Sequence, residues 1–337
     1  INDVSVGKGA NSVAGNTVLG ENALDASVSG VNNTAIGKNA LSALTSGTGN
    51  TSVGKDSLLL NTTGGSNTAV GITALDANTT GNNNTAIGNN CLSSSTTASQ
   101  NTSVGSSSLD SITTGFANVA VGFVAGGGLT TGNYNIAIGQ ESLAATSTAS
   151  NNTAVGHEAL KSTTTGANNV AVGANALDAN TTASNNNAFG VDALGANTTG
   201  DKNNAFGSAT LESNTTGVEN TAFGSRALQS NTTANYNVAV GRDALRANTT
   251  GSQNVAVGTD ALDANTTGSL NTALGDQALS ANTTASNNTA VGFAALNANT
   301  TGADQVAVGR KALQDNTTGG SNTAVGVNAL QNNTTAS

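Results

Sequence analysis

Asn67-Thr68-Ala69-Val70-Gly71-Ile72-Thr73-Ala74-Leu75-Asp76-Ala77-Asn78-Thr79-Thr80-Gly81-Asn82-Asn83 is one turn of a pattern that fills the chain. Nineteen glycines equivalent to Gly71 follow one another at intervals of 17 residues, from Gly20 to Gly326, without a slip. Globular enzymes tolerate insertions in their loops. A chain that tolerates none stacks one coil on the next, and a strict period in this range is the mark of a solenoid. The expected fold is all-β: a parallel β-solenoid, or β-roll, with one 17-residue coil per repeat. Residues 1–20 form an irregular opening coil with a 13-residue step from Gly7 to Gly20, and residues 21–337 a continuous solenoid rod. The start at Ile1 without Met and the stop at Ser337 in mid-repeat suggest a segment of a longer chain.

Inside each unit the residue before the glycine is Val, Ile, Phe or Leu, and the one before that is Ala or Ser after the first full unit, which has Val18. Leu stands four after the glycine in 18 of 19 units; the exception is Gly126, within Phe123-Val124-Ala125-Gly126-Gly127-Gly128. Thr68-Ala69-Val70 alternates like a short strand. The expectation is that Thr68 and Val70 face inward and that Ala69 faces outward, kept small because another backbone lies against it. Gly71 makes a corner, since Gly alone takes positive φ cheaply. Ala74-Leu75 starts a second short segment with Leu inward, and Asn78-Thr79-Thr80 a third. Gly81 is a second corner, less demanding because Ala replaces it at Ala98, Ala149, Ala183, Ala234, Ala285 and Ala336. Two Asn ladders run along the axis. One passes through Asn16, Asn33 and Asn50 to Asn322, broken by Gln305, and the other is continuous from Asn180 to Asn333. Stacked amides bond to the copies above and below. A helical reading fails on the poor helix propensity of such a unit.

Composition narrows the function. Charged residues are 9 %, aromatics 2 %, and Pro, Trp and Met are absent. The net charge of −9 is thinly spread and no basic stripe exists, which speaks against nucleic acid. No apolar run is long enough to span a membrane. Cys91 stands alone and makes neither an intrachain disulfide nor a Cys-based zinc site. The few large apolar side chains per coil form a thin core, which favours lateral association into a homotrimer or another homo-oligomeric fibre. Nineteen coils would extend roughly 90 Å at about 4.8 Å each.

The Asn-Thr-Ala-Val-Gly units, with Asn11-Ser12-Val13-Ala14-Gly15 near the start, resemble the head repeats of trimeric autotransporter adhesins (YadA-like). They are also similar to the Thr-Ala-Val-Gly and Asn-Thr-Thr-Gly repeats of phage-type tail-fibre proteins, which often end in a self-cleaving chaperone domain. The resemblance covers nearly the whole chain. It implies a left-handed, trimeric β-roll at a cell surface or on a virion, hence an extracellular location. The 17-residue units depart from the roughly 14-residue adhesin unit, and no chaperone-domain residues are present.

No catalytic, cofactor or metal residue is expected. His157, the only His, sits at a variable position after Gly156 and reads as an exposed turn residue, with no fixed acid–base partner. Cys91 replaces Ala74 of its neighbour and reads as a small buried filler. Gly126-Gly127-Gly128 lacks the Lys-Ser/Thr of a phosphate loop and reads as an irregular coil, with a bulge, hinge or ligand indentation as the alternative. Asp25, Asp76, Asp178 and Asp263 recur after Leu without the glycine-rich nonapeptide of calcium rolls. The Asn-Thr-Thr segments match the N-glycosylation pattern, but copies about 4.8 Å apart are too close to be modified each time, so the ladder reading is preferred. The leading functional expectation is the structural rod of a fibre, tail-fibre-like or adhesin-like, that attaches to surfaces along its length or through a tip. The second is a repetitive-face binding module for ice or a cell-surface glycan or receptor, built on Thr and Asn ladders. The third is an enzyme with a processive groove, for which only scattered carboxylates speak.

Overall fold

The computed structural model of the chain describes residues 5–145 and 148–337, in two compact units, Ile1–Asn168 and Asn169–Ser337. Each unit is a parallel β-solenoid with a 17-residue coil and almost no helix. In the first, β1 (Ser5–Gly7) runs antiparallel to β2 (Thr17–Gly20), with Val6 opposite Leu19. From β2 the stack is parallel through β3 (Thr34–Ile36) and its successors to β10 (Thr153–Val155). In the second, strands of three residues run from β11 (Val170–Val172) through β12 (Asn187–Phe189), β13 (Asn204–Phe206) and β14 (Thr221–Phe223) to β20 (Thr323–Val325). The register is that of the repeat: Ala171 lies opposite Ala188, Ala188 opposite Ala205, and Ala205 opposite Ala222.

The strands face the opposite way from the expectation. Ala69 is wholly buried, whereas Thr68 is half-buried and Val70 exposed, and in every strand from β3 on a buried small residue, Ala or else Ser52 or Ser103, stands between two half-buried or exposed ones. The physical reason is room. A coil of 17 residues already holds Leu75, Ala74, Asn67 and Asn78 inside, all wholly buried, and only a methyl fits between them at the strand. Small size at Ala69 therefore marks the crowded interior of its own coil.

The second and third segments of each coil are not strands. Leu75 is inward as expected, but it sits in the left-handed region with φ 55°, and so does every other Leu of its row. Such a conformation is costly for Leu. It persists because alternating right- and left-handed residues turn successive peptides up and down the axis. Thr73, with φ 51°, donates its N–H to Lys55 O of the preceding coil at 3.0 Å. Leu75 donates to Cys91 O of the following coil at 2.9 Å. Axial hydrogen bonds thus extend around the coil, well beyond the three strand residues.

The Asn ladders carry the polar interior. Asn237 is wholly buried; its Nδ2 donates to Gly251 O at 3.0 Å and to Asn220 Oδ1 at 3.2 Å, and its Oδ1 accepts from Asn254 N at 2.9 Å. In the second ladder, Asn248 Nδ2 donates to Asn231 Oδ1 at 3.1 Å and to its own corner carbonyl, Gly251 O, at 2.9 Å. Gln305, the one break in the first ladder, uses its extra length to join the two: Nε2 reaches Asn299 Oδ1 at 2.9 Å, and Oε1 accepts from Asn316 Nδ2 at 2.9 Å.

Candidate functional site

The side chains that the strands turn outward form two rows on each unit. From β3 on, the first strand position holds Thr, Val, Ile or Asn, and the third holds Val, Ile, Phe or Leu, with no charge in either row. In the second unit the third-position row contains Phe189, Phe223, Val240 and Leu274, all exposed, the last at 48 %. Phe189, Phe206 and Phe223 stack face to face, with ring centroids 4.8 and 4.4 Å apart and planes within 7° and 2° of parallel. Beside them Asn187 Nδ2 donates to Asn204 Oδ1 at 2.8 Å. In the first unit the same face carries Val70, Ile87, Val121, Ile136 and Ile138, again exposed. Exposed apolar surface in rows of this kind marks an interaction site.

A second repetitive face lies at Asn-Thr-Thr. Neither Thr is buried: Thr79 is half-buried and Thr80 exposed. In the second unit the exposed row runs unbroken from Thr182 to Thr335. The hydroxyl of the first Thr is used along the axis, as where Thr198 Oγ1 donates to Thr215 O at 3.1 Å. Before the last coil the Asn of these segments is buried with its amide bonded, Asn78 Nδ2 reaching Asn61 Oδ1 at 2.8 Å and Gly81 O at 3.1 Å, which leaves no free nitrogen for glycosylation there; Asn333 is half-buried.

The residues weighed singly from the sequence lie apart. His157 is exposed, its Nε2 3.8 Å from Glu158 Oε1. Cys91 is buried, its Sγ 3.1 Å from Gly88 O, and burial pushes its thiol up to about 12, which keeps it protonated and inert. At Gly126 the coil is regular. Gly126 takes the left-handed conformation of the missing Leu, with φ 62°, and Leu129, wholly buried, supplies the side chain from three residues later. A Cβ on Gly126 would lie 2.8 Å from Leu109 Cδ2 and 3.2 Å from Leu129 Cδ1, so the leucine has moved within the coil and left no indentation.

Asp76, Asp110 and Asp263 have their carboxyls raised above the ordinary range, first by burial. Asp25 is exposed, and Asp178 borders a shallow depression with Asp192 and Glu212 around Gly195. Among the described residues no group of three or more His, Cys, Asp or Glu is placed to hold a metal ion, and no helix is long and apolar enough to cross a membrane. The densest charges neutralise one another: Arg226 lies 2.8 Å and Arg242 3.6 Å from buried Asp243, and Arg246 3.9 Å from Asp263.

Sequence reasoning missed the outward strand face. A signal for it exists in the repeat itself. The third strand position accepts residues from Val to Phe, a spread that a closed column of side chains does not tolerate. No protein-family model matches the chain, and no curated protein matches it.

Proposed function

We propose that the chain is a structural rod of an extracellular or virion fibre, tail-fibre-like or adhesin-like, in which three copies of a left-handed solenoid associate through their strand faces. One observation carries this reading: the face made by the first and third strand residues is uncharged along each unit, with an unbroken apolar third row beside a first row of Thr, Val, Ile and Asn, on a protein whose remaining surface is largely Asn, Thr, Ser and Gly. Ten stacked strands of three residues present a strip of roughly 48 by 10 Å in the second unit alone. Two copies meeting there would bury about 1,000 Å² together, the size at which a specific interface becomes plausible. The thin interior of each coil, filled by one Leu, small residues and amides, gives such association a further advantage. The absence of charge also suits an interface centre, where charged residues are depleted. The proposed role is mechanical and adhesive, with no chemistry of its own.

Sedimentation equilibrium tests the reading. A mass near 98 kDa, three times the 32.5 kDa chain, is expected at micromolar concentration. A monomer under those conditions would remove it. A second reading has its own observation, the unbroken exposed row from Thr182 to Thr335, which could order water or a glycan along its length. Thermal hysteresis or retention on a carbohydrate column would support it, and a null in both assays would end it.

A further inference from the structure

An interface built from repeats lacks something that a unique interface has. Copies with identical rows could pair in register or one coil out, and a slip would forfeit only the contacts of the end coil. Shape and polarity along the rows must therefore vary somewhere if the pairing is to be unique. In the second unit the variation is concentrated in β12, β13 and β14. Elsewhere in that unit the outward pairs are Val with Val, Thr with Val, or Thr272 with Leu274. Here they are Asn187 with Phe189, Asn204 with Phe206, and Thr221 with Phe223.

We propose that this segment is the register key for association between copies of this chain, the second copy's own β12–β14 being the surface it fits. The inference rests on the fibre reading above and deepens it by naming the residues that align the partners.

Two mismatches enforce the alignment. Three stacked rings stand farther from the strand than Val, so the face is widest over three consecutive coils. One coil out, Phe223 of one copy would lie level with Val238 and Val240 of the other, and Phe189 of the second copy with Val170 and Val172 of the first, so two ring layers lose the partner's rings. The amides add polarity. Asn187 Nδ2 is bonded to Asn204 Oδ1, which leaves amide hydrogens of Asn204 facing outward beside the rings. In register the two polar segments lie level; one coil out, Asn187 of one copy is set against Val170 and Val172 of the other and loses its partners on desolvation. A single polar side chain in an apolar seam fixes register in coiled coils by the same physics. The face has no charges that could perform this task.

The test reads alignment directly. In a Cys91→Ala background, chains carrying Thr272→Cys and chains carrying Thr289→Cys are mixed, refolded together and oxidised. These positions are equivalent in adjacent coils, on strands Thr272–Leu274 and Thr289–Val291. A disulfide needs Cα atoms within about 7 Å. A one-coil offset adds about 4.8 Å along the axis. Like pairs therefore report register and unlike pairs report slip. Leu274→Cys with Val291→Cys samples the other row in the same way.

With the native face, like pairs alone are expected. With Asn187→Thr, Asn204→Thr, Phe189→Val, Phe206→Val and Phe223→Val, the key takes residues that other coils carry at these outward positions, so the coil itself is retained. Unlike pairs should then rise from a trace to a yield comparable with like pairs. The two Asn→Thr changes alone should give an intermediate yield. Like pairs alone in the fivefold variant would overturn the proposal. So would association of native copies with no cross-link in either row, since another face would then hold them and the fibre reading would survive by itself. Native copies that stay monomeric while the Phe row retains an oligosaccharide would overturn both, in favour of a ligand platform.

Discussion

Replacing Gly224 with Ala separates two causes of strain that the sequence cannot separate. Gly224 makes the first corner, with φ 127°, and a Cβ there would lie 2.6 Å from both the carbonyl carbon and oxygen of Gly241 in the next coil. Holding Ala in that backbone region costs about 1–3 kcal/mol. Relieving the contact to an ordinary distance needs a shift of about 0.8 Å. That shift would stretch the bonds Gly224 N to Phe206 O, 2.8 Å, and Gly241 N to Phe223 O, 2.7 Å, out of range. Two backbone bonds add about 1–3 kcal/mol. The expected loss is therefore about 4 kcal/mol, within a range of ~2–6. Gly217→Ala is the control. A Cβ at that second corner would meet the Ala234 carbonyl oxygen just as closely, but Gly217 is not in the left-handed region. Ala already stands in its row at Ala183, Ala234 and Ala285, all buried. The second corner therefore yields to a methyl, and Gly217→Ala should cost less than about 1 kcal/mol. Urea unfolding followed by circular dichroism gives the two losses, and hydrogen exchange at the Gly241 amide localises the first. Equal losses at the two corners would refute the claim that φ, rather than crowding, selects glycine at the first.

Asn237→Ala should cost about 2–5 kcal/mol in the same assay, because it leaves Asn254 N–H without its partner inside the coil and removes one of the two bonds to Gly251 O, the other coming from Asn248 Nδ2. Ala205→Leu, pointing inward, should destabilise by at least about 1–3 kcal/mol, while Thr221→Val on the outward row should leave the melting curve of the monomer nearly unchanged. Leu129→Ala should cost about 2–5 kcal/mol, and adding Gly126→Leu should recover part of it; a double-mutant cycle with no coupling would contradict the relocation of leucine within that coil. Asp76 has its carboxyl raised above 3.8, mainly by burial, and its Oδ1 has no hydrogen-bond partner. The folded chain thus binds this proton more tightly than the unfolded chain, and the stability so gained grows as pH falls through the raised value and is complete below 3.8. Asp76→Asn should accordingly be more stable than the parent at pH 7, with the gap closing as pH falls, as read from melting temperatures across the titration.

The period, the corner glycines, the inward Leu and both Asn ladders were legible because each is a side-chain identity that repeats at one height in every coil. The direction of the strand is not legible, because a small residue at Ala69 fits a neighbouring backbone as well as a crowded interior. What decides it is the total volume inside one coil, to which Leu75, Asn67 and Asn78 contribute from distant parts of the unit. The left-handed Leu75 was illegible for another reason. Its intrinsic preference argues against that conformation, and only the axial hydrogen bonds to the next coil, which exist after stacking, reverse the balance. The strand face is hidden for the same reason: a row of Val, Ile, Phe and Leu reads as core until the volume inside the coil is known. The swap of Gly126 for Leu129 is readable in hindsight, since a large apolar residue vanishes at one inward position and enters at another within the same coil.

The in-register stack is tested most directly by two insertions into one strand. Between Ala222 and Phe223, either a single Ala or a full 17-residue unit copied from residues 223–239 is added. The full unit restores every ladder, and that variant should melt cooperatively at or above the temperature of the parent. The single residue turns each following side chain of the strand to the other face. It should broaden the transition and lower its midpoint sharply. A single-residue variant that melts as the parent does would contradict stacking of equivalent residues, coil upon coil, as the basis of this fold.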